Sequence, residues 1–308
     1  MVQAEDAQTV ARESGPAARI GWHLRRPGPL LGHVVLRTES HACCGALAFF
    51  ALVGFYPSCL LILWVSRHAL QWAPADTVIL QTMREYYPQG QEFLLRNLAL
   101  SVEQDGHEMT LAAVFWILLG AAGVFIPLET AFNQLWGAAR HRPYWRNQAV
   151  GLLLVTACYG LAFLFVLVTA GLQTFIQGLS LSPILGRALV YGALRLAALG
   201  LSVTAIFLFY RFLPNCQVRS RDVFPAALVA GVVLEAARAL YLLALPLLDL
   251  QKSQGPFYIS ISFVLLAYFE SFVVLAGAFL AARPCTNDRG AGALASGGPP
   301  DTSGTGVV

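Results

Sequence analysis

Six apolar stretches, each long enough to cross a bilayer, divide this chain and decide what solvent surrounds nearly every other residue. They run Ala42–Ser66, Thr110–Trp136, Ala149–Phe175, Leu189–Leu213, Val223–Leu248 and Phe257–Ala282. Each reaches the roughly 20 residues that span the ~30 Å hydrocarbon core as a helix. Lipid offers no hydrogen bonds, so an apolar segment of that length satisfies its backbone internally, as a helix. The expected fold class is all-α: an integral membrane bundle of six transmembrane helices with short amphipathic interfacial helices.

Composition agrees. Hydrophobic residues make up 57% of the chain and charged residues 12%, against about 25% charged in a soluble domain. Most of the length is consumed by the spans. Residues 30–283 therefore read as one six-helix domain, with tails at 1–29 and 284–308 too polar and too rich in Gly, Pro and Ser to pack a core. The opening forty residues hold no apolar core followed by a cleavage pattern, so the first span itself is expected to direct insertion.

Charge sets the sidedness. Arg12, Arg19, Arg25, Arg26, Arg37, Arg140, Arg142, Arg146, Arg211, Arg219, Arg221, Arg283 and Arg289 fall in the tails and in the second and fourth connections. The opposite side holds Arg67, Arg84, Arg96, Arg187 and Lys252. Basic residues near span ends stay cytoplasmic. Both termini are therefore expected in the cytoplasm.

Two stretches outside the spans carry helical periodicity. Residues 30–41 read as a short surface helix with His33, Arg37, Thr38 and His41 on its polar face. The external segment Arg67–Met109 reads as two amphipathic helices around Tyr86-Tyr87-Pro88-Gln89-Gly90. It carries six acidic residues against Arg67, Arg84 and Arg96; a cation-collecting vestibule and a merely solvated surface fit equally. Trp136, Tyr144 and Trp145 stand where an aromatic belt would meet the cytoplasmic interface. None of the six cysteines falls in an external loop, which argues against a disulfide framework. The Cys43–Cys44 pair reads as small packing residues, with lipidation as the alternative.

Ionisable residues inside spans are the natural candidates for function, because lipid drives them toward a bundle interior or wet cavity. In the fifth span Glu235, Arg238, Leu242 and Asp249 fall within about 60° of one another on a helical wheel. Gly231 lies a turn before Glu235 and permits a close helix approach. Glu235 and Arg238 are spaced to pair locally. The fourth span offers Tyr191, Arg195 and Ser202 on one stripe, the sixth Tyr268, Glu270 and Ser271, and the second Glu129 with Asn133. Arg195, Glu235, Arg238 and Glu270 balance formally, as a structural lock requires and as a solute path permits. Pro57, Pro127 and Pro246 are expected to kink their helices.

Enzyme signatures are missing from the sequence. It has no phosphate-binding loop, no metal-type His/Cys spacing and no nucleophile elbow. His23, His33, His41, His68, His107 and His141 scatter outside the hydrocarbon on both sides. Arg140-His141-Arg142 with Arg146 reads as a loop against lipid headgroups rather than RNA. No cofactor, metal or nucleic acid is expected.

Four ordered strings give the chain its resemblance. They are Ala46-Leu47-Ala48-Phe49-Phe50 with Phe55-Tyr56-Pro57; Gly123-Val124-Phe125-Ile126-Pro127-Leu128-Glu129 continuing through Ala131-Phe132-Asn133 to Leu135-Trp136-Gly137; Tyr210-Arg211-Phe212-Leu213-Pro214 with Glu235-Ala236-Ala237-Arg238; and Gly255-Pro256-Phe257 with Leu275-Ala276-Gly277-Ala278. In order and spacing these resemble the YihY/BrkB family of bacterial inner-membrane proteins, over about residues 30 to 283. The resemblance implies six helices with both ends cytoplasmic. It also implies a virulence-associated family with suspected transport activity and an old ribonuclease label that no residues here support. Where that family carries an acid after the closing Gly-Ala, this chain has Phe279.

The leading expectation is a transporter or permease for an anionic or lipid-derived solute. Its candidate polar lining is Arg195, Glu235, Arg238, Glu270, Glu129, Asn133, Tyr191, Ser202 and Asp249. The alternative is a non-transporting scaffold that organises the envelope. Expected partners are the bilayer and a small solute or lipid, with homo-oligomerisation left open by the sequence.

Overall fold

The computed structural model of the chain describes residue 32 and residues 37–68, 107–138, 143–178 and 183–282. The described residues form helices and no strand: α1 Thr38–His68, α2 His107–Trp136, α3 Tyr144–Gly178, α4 Pro183–Phe212, α5 Ser220–Leu248, α6 Leu250–Gln254, a 3-10 turn Gly255–Phe257, and α7 Tyr258–Ala281. Six of these, all but the short α6, are long and apolar enough to cross a membrane. Their apolar windows follow the six sequence stretches. Charge is thin along each helix, so length in lipid rather than an amphipathic pattern defines the elements.

The spans form a ring in chain order. α1 packs on α2, α2 on α3, α3 on α4, α4 on α5, α5 on α7, and α7 returns to α1. The α1–α2 contact is the most extensive and the α2–α3 contact the slightest of these neighbours. Small residues bring the tight crossings together. A Cβ on Gly120 would sit 2.9 Å from the Gly54 Cα, and one on Gly123 would enter the Phe50 ring. A Cβ on Gly231 would strike the Val203 side chain at 2.5 Å, so the approach expected at that glycine is present, between α4 and α5. With lipid outside and no hydrophobic drive between spans, such close van der Waals contact is what holds helices together.

The core lies toward the ends that carry Trp136, Tyr210 and Ala281. Phe132, Trp136 and Tyr210 form an aromatic knot with ring centroids 5.6 to 6.3 Å apart. Tyr210 is fully buried and donates 2.7 Å to the Val274 carbonyl of α7. Trp136 is thus a core residue and not part of an interfacial belt, because Phe132 one turn earlier turns it toward α4. Trp145 is exposed, as a belt residue should be.

Some expectations change. α1 already includes Thr38 and His41, so these belong to the first long helix and not to a separate surface helix. α1, α2 and α5 stay helical through Pro57, Pro127 and Pro246, as a kink without a break allows. Cys44 is buried, and Cys43 donates 3.6 Å to the Pro127 carbonyl, which is the packing role. Cys216 is disulfide-bonded, a pairing the sequence does not lead one to expect. The segment 69–106, the remainder of the surface helix and both tails lie outside the described residues.

Candidate functional site

Two helices bring charge together near mid-span, and a third adds a hydroxyl. On α5, Arg238 lies one turn from both Leu234 and Tyr241, which are buried, so its stripe faces neighbouring helices and not lipid. Its Nη1 donates 2.8 Å to Oε1 of Glu235, the local pair the spacing predicts. Its Nε donates 2.5 Å to Oε1 of Glu270 on α7. Ser202 of α4 donates 2.7 Å to the same oxygen of Glu235 and accepts at 3.3 Å from Arg238. The side chains of Arg238, Glu235 and Glu270 keep 23%, 15% and 25% exposure, so the cluster is partly open rather than sealed. Each glutamate holds Arg238 through one oxygen. Among the described residues the second oxygen takes no hydrogen bond, yet it is not a sealed, unsatisfied atom.

The other predicted residues separate from this cluster. Arg195 donates 3.2 Å to the hydroxyl of Tyr191 one turn away and lies 5.1 Å over its ring, on the exposed side of α4. Asp249 shares the wheel stripe of Glu235 but lies past the end of α5, in a left-handed conformation with φ 42°. There it pairs with Lys252 at 2.8 Å in solvent, so it lines nothing at depth. A wheel projection carries no information about where a helix stops.

Glu129 and Asn133 form a second polar centre at the other end of the bundle. Glu129 Oε1 accepts 2.9 Å from the side chain of Asn215 and 3.3 Å from that of Asn133, while Asn133 Oδ1 accepts 2.8 Å from the Asn215 backbone N–H. These bonds tuck the α4–α5 connection against α2, with Leu213 and Pro214 fully buried beside it. Asn215 was not foreseen, although it directly follows the Tyr210–Pro214 string; a short connection between spans was the available signal. Two more unforeseen links join α7 to its neighbours. His41 of α1 shares a 2.7 Å hydrogen bond with the Tyr268 hydroxyl, and Tyr241 of α5 donates 2.8 Å to the Ser262 carbonyl. His41 therefore contacts a span instead of standing clear of one. Among the described residues no group of three His, Cys, Asp or Glu is placed to hold a metal ion.

Comparison with known proteins agrees with this architecture. A family model described as "Virulence factor BrkB" matches residues 34–292. A "UPF0761 membrane protein" of Chromohalobacter salexigens is 31% identical over 189 residues, 58% of this chain and 43% of that protein. One from Pseudomonas paraeruginosa is 29% identical over 208 residues, 64% of this chain and 47% of its own. One from Klebsiella pneumoniae is 29% identical over 152 residues, 46% and 49% respectively. The chain spans less than half the length of these relatives, and no solved structure matches it. Six long apolar helices, the ordered motif strings and a family match over most of the chain lead to one statement: it belongs to the BrkB virulence-factor family of membrane proteins.

Proposed function

We propose that the protein is an inner-membrane permease whose solute carries an anionic group, and that Arg238 is the residue this group meets. The observation that supports the reading is the partly open ion cluster of Ser202, Glu235, Arg238 and Glu270 in the middle of three spans. A lock that served stability alone gains most from being dry and fully bonded. This cluster instead leaves two carboxylate oxygens without a hydrogen bond among the described residues and is itself partly exposed. Charged groups at that depth are costly and mark solute paths in other membrane proteins.

The chemistry follows from exchange of partners. Arg presents a planar fork that fits carboxylate and phosphate equally well. An incoming anion takes the place of Glu270, and the α5–α7 bridge opens as it does so. Binding is thereby tied to a change in helix contact, which a carrier needs. Both termini face the cytoplasm in this reading, since Arg146, Arg211, Arg219 and Arg221 lie at one end of the ring, against Lys252 at the other. The protein acts without catalysis, and its partners are lipid and solute, not nucleic acid.

The test is flux into proteoliposomes from a panel of carboxylate- and phosphate-bearing solutes. Arg238→Gln should abolish flux of any solute the wild type carries. Glu270→Gln, which removes an internal competitor, should retain it with tighter apparent binding. Equal flux through wild type and both folded variants would remove the cluster from any path.

A further inference from the structure

Glu129 offers a site of a different kind. It is more than nine-tenths buried, at 8% exposure, and it forms no ion pair among the described residues. Both of its hydrogen bonds fall on Oε1 and come from neutral amides of Asn133 and Asn215. Oε2 takes none, and it is not enclosed. Glu129 lines a groove between α2 and α3, the lightest-packed neighbours of the ring. Leu118, Phe125 and Ile126 of α2, Leu152 and Val155 of α3, and Leu213 line it, with Asn147 and Gln148 as its other polar residues. Leu118, Ile126 and Leu152 are about half exposed, so the groove opens sideways, toward lipid.

Position along the helices gives the groove a polarity. Glu129 lies seven residues before the end of α2, and Asn147 three residues after the start of α3, both near the same membrane face. The apolar walls extend from there toward mid-span. A half-bonded anion thus stands at the headgroup end of a lateral apolar slot, in no ion pair with the described residues. A buried carboxylate with no positive partner is destabilising, and a cation arriving from the bilayer would complete it.

We propose that this groove binds a membrane lipid with a primary ammonium headgroup. The ammonium donates to Oε2 of Glu129, and one acyl chain lies along Leu118, Ile126, Leu152 and Val155. Charge complementarity selects the headgroup, and the lateral opening selects a lipid over a soluble amine. The site is separate from the Arg238 cluster and does not depend on transport.

Native mass spectrometry of the full chain, delipidated in mild detergent, tests it with phosphatidylethanolamine and phosphatidylglycerol of matched chains. The wild type should retain the ethanolamine lipid on the order of tenfold better, the scale of one charge-assisted hydrogen bond. Glu129→Gln keeps the amide-accepting oxygen and should erase the preference. Leu152→Trp fills the groove without touching any Glu129 bond, and should lose the ethanolamine lipid even if the Gln variant fails to fold. Equal retention of the two lipids by wild type would overturn the proposal. So would an unchanged preference in either variant.

Discussion

Arg238 is the hub of its cluster, and that role orders the effects of substitution. It binds Glu235, Glu270 and Ser202, whereas each glutamate contributes one oxygen to it. Removing Arg238 strands two carboxylates at depth; removing the charge of Glu270 strands none, because Glu235 still faces the guanidinium. Arg238→Gln should therefore destabilise by about 3 kcal/mol, the scale for breaking a buried pair from one side. Glu270→Gln should cost roughly 1 kcal/mol, the scale of one hydrogen bond. Thermal midpoints of the two variants in detergent, read by fluorescence-detected gel filtration, check the order; a Glu270 variant as unstable as the Arg238 one would contradict it. Glu235 with Arg238 was readable from sequence, because a three-residue spacing fixes local geometry. The choice of Glu270 over Arg195 as the third member was not, since it depends on which helices lie side by side.

Helix crossings show where reading a sequence stops. Span number, length and limits were legible, because contrast with lipid is a one-dimensional property of the chain. Gly231 was legible as a contact because it shares a stripe with charge. Gly54, Gly120, Gly123 and Gly277 were not singled out, since small residues are common in spans and only the ring order shows which of them face a neighbour. Gly277 makes the point testable. A Cβ there would collide with the Tyr210 hydroxyl and come within 2.6 Å of the Ala230 Cβ, displacing the donor that bonds Val274. Gly160 and Gly200 meet nothing within 4 Å. Gly277→Val should lower stability by about 1–3 kcal/mol, as overpacking does. Gly160→Val and Gly200→Val keep the same helix-propensity change and should stay within roughly 0.5 kcal/mol of wild type. Folded yield of the three variants separates crossing glycines from lipid-facing ones; equal losses at all three would mean that propensity and not contact governs.

At the scale of the molecule, an even number of crossings and a ring that closes on itself set one expectation for sidedness. α1 begins and α7 ends on the same face, together with the α2–α3 and α4–α5 connections. That face bears Arg211, Arg219 and Arg221 around Gln217, and the opposite face bears Asp249 and Lys252 near Gln254. Anionic lipid and the membrane potential both favour the basic face inside. Gln217 and Gln254 are exposed, so a cysteine at either reports its compartment without disturbing a span. In a variant whose native cysteines are replaced, Gln254→Cys should react with a membrane-impermeant maleimide in intact spheroplasts. Gln217→Cys should react only after the membrane is opened. The reverse pattern would invert the bundle and place the Glu129 groove in the outer leaflet. Reaction of both from outside would break the even count itself, and with it the assignment of all six long helices as spans.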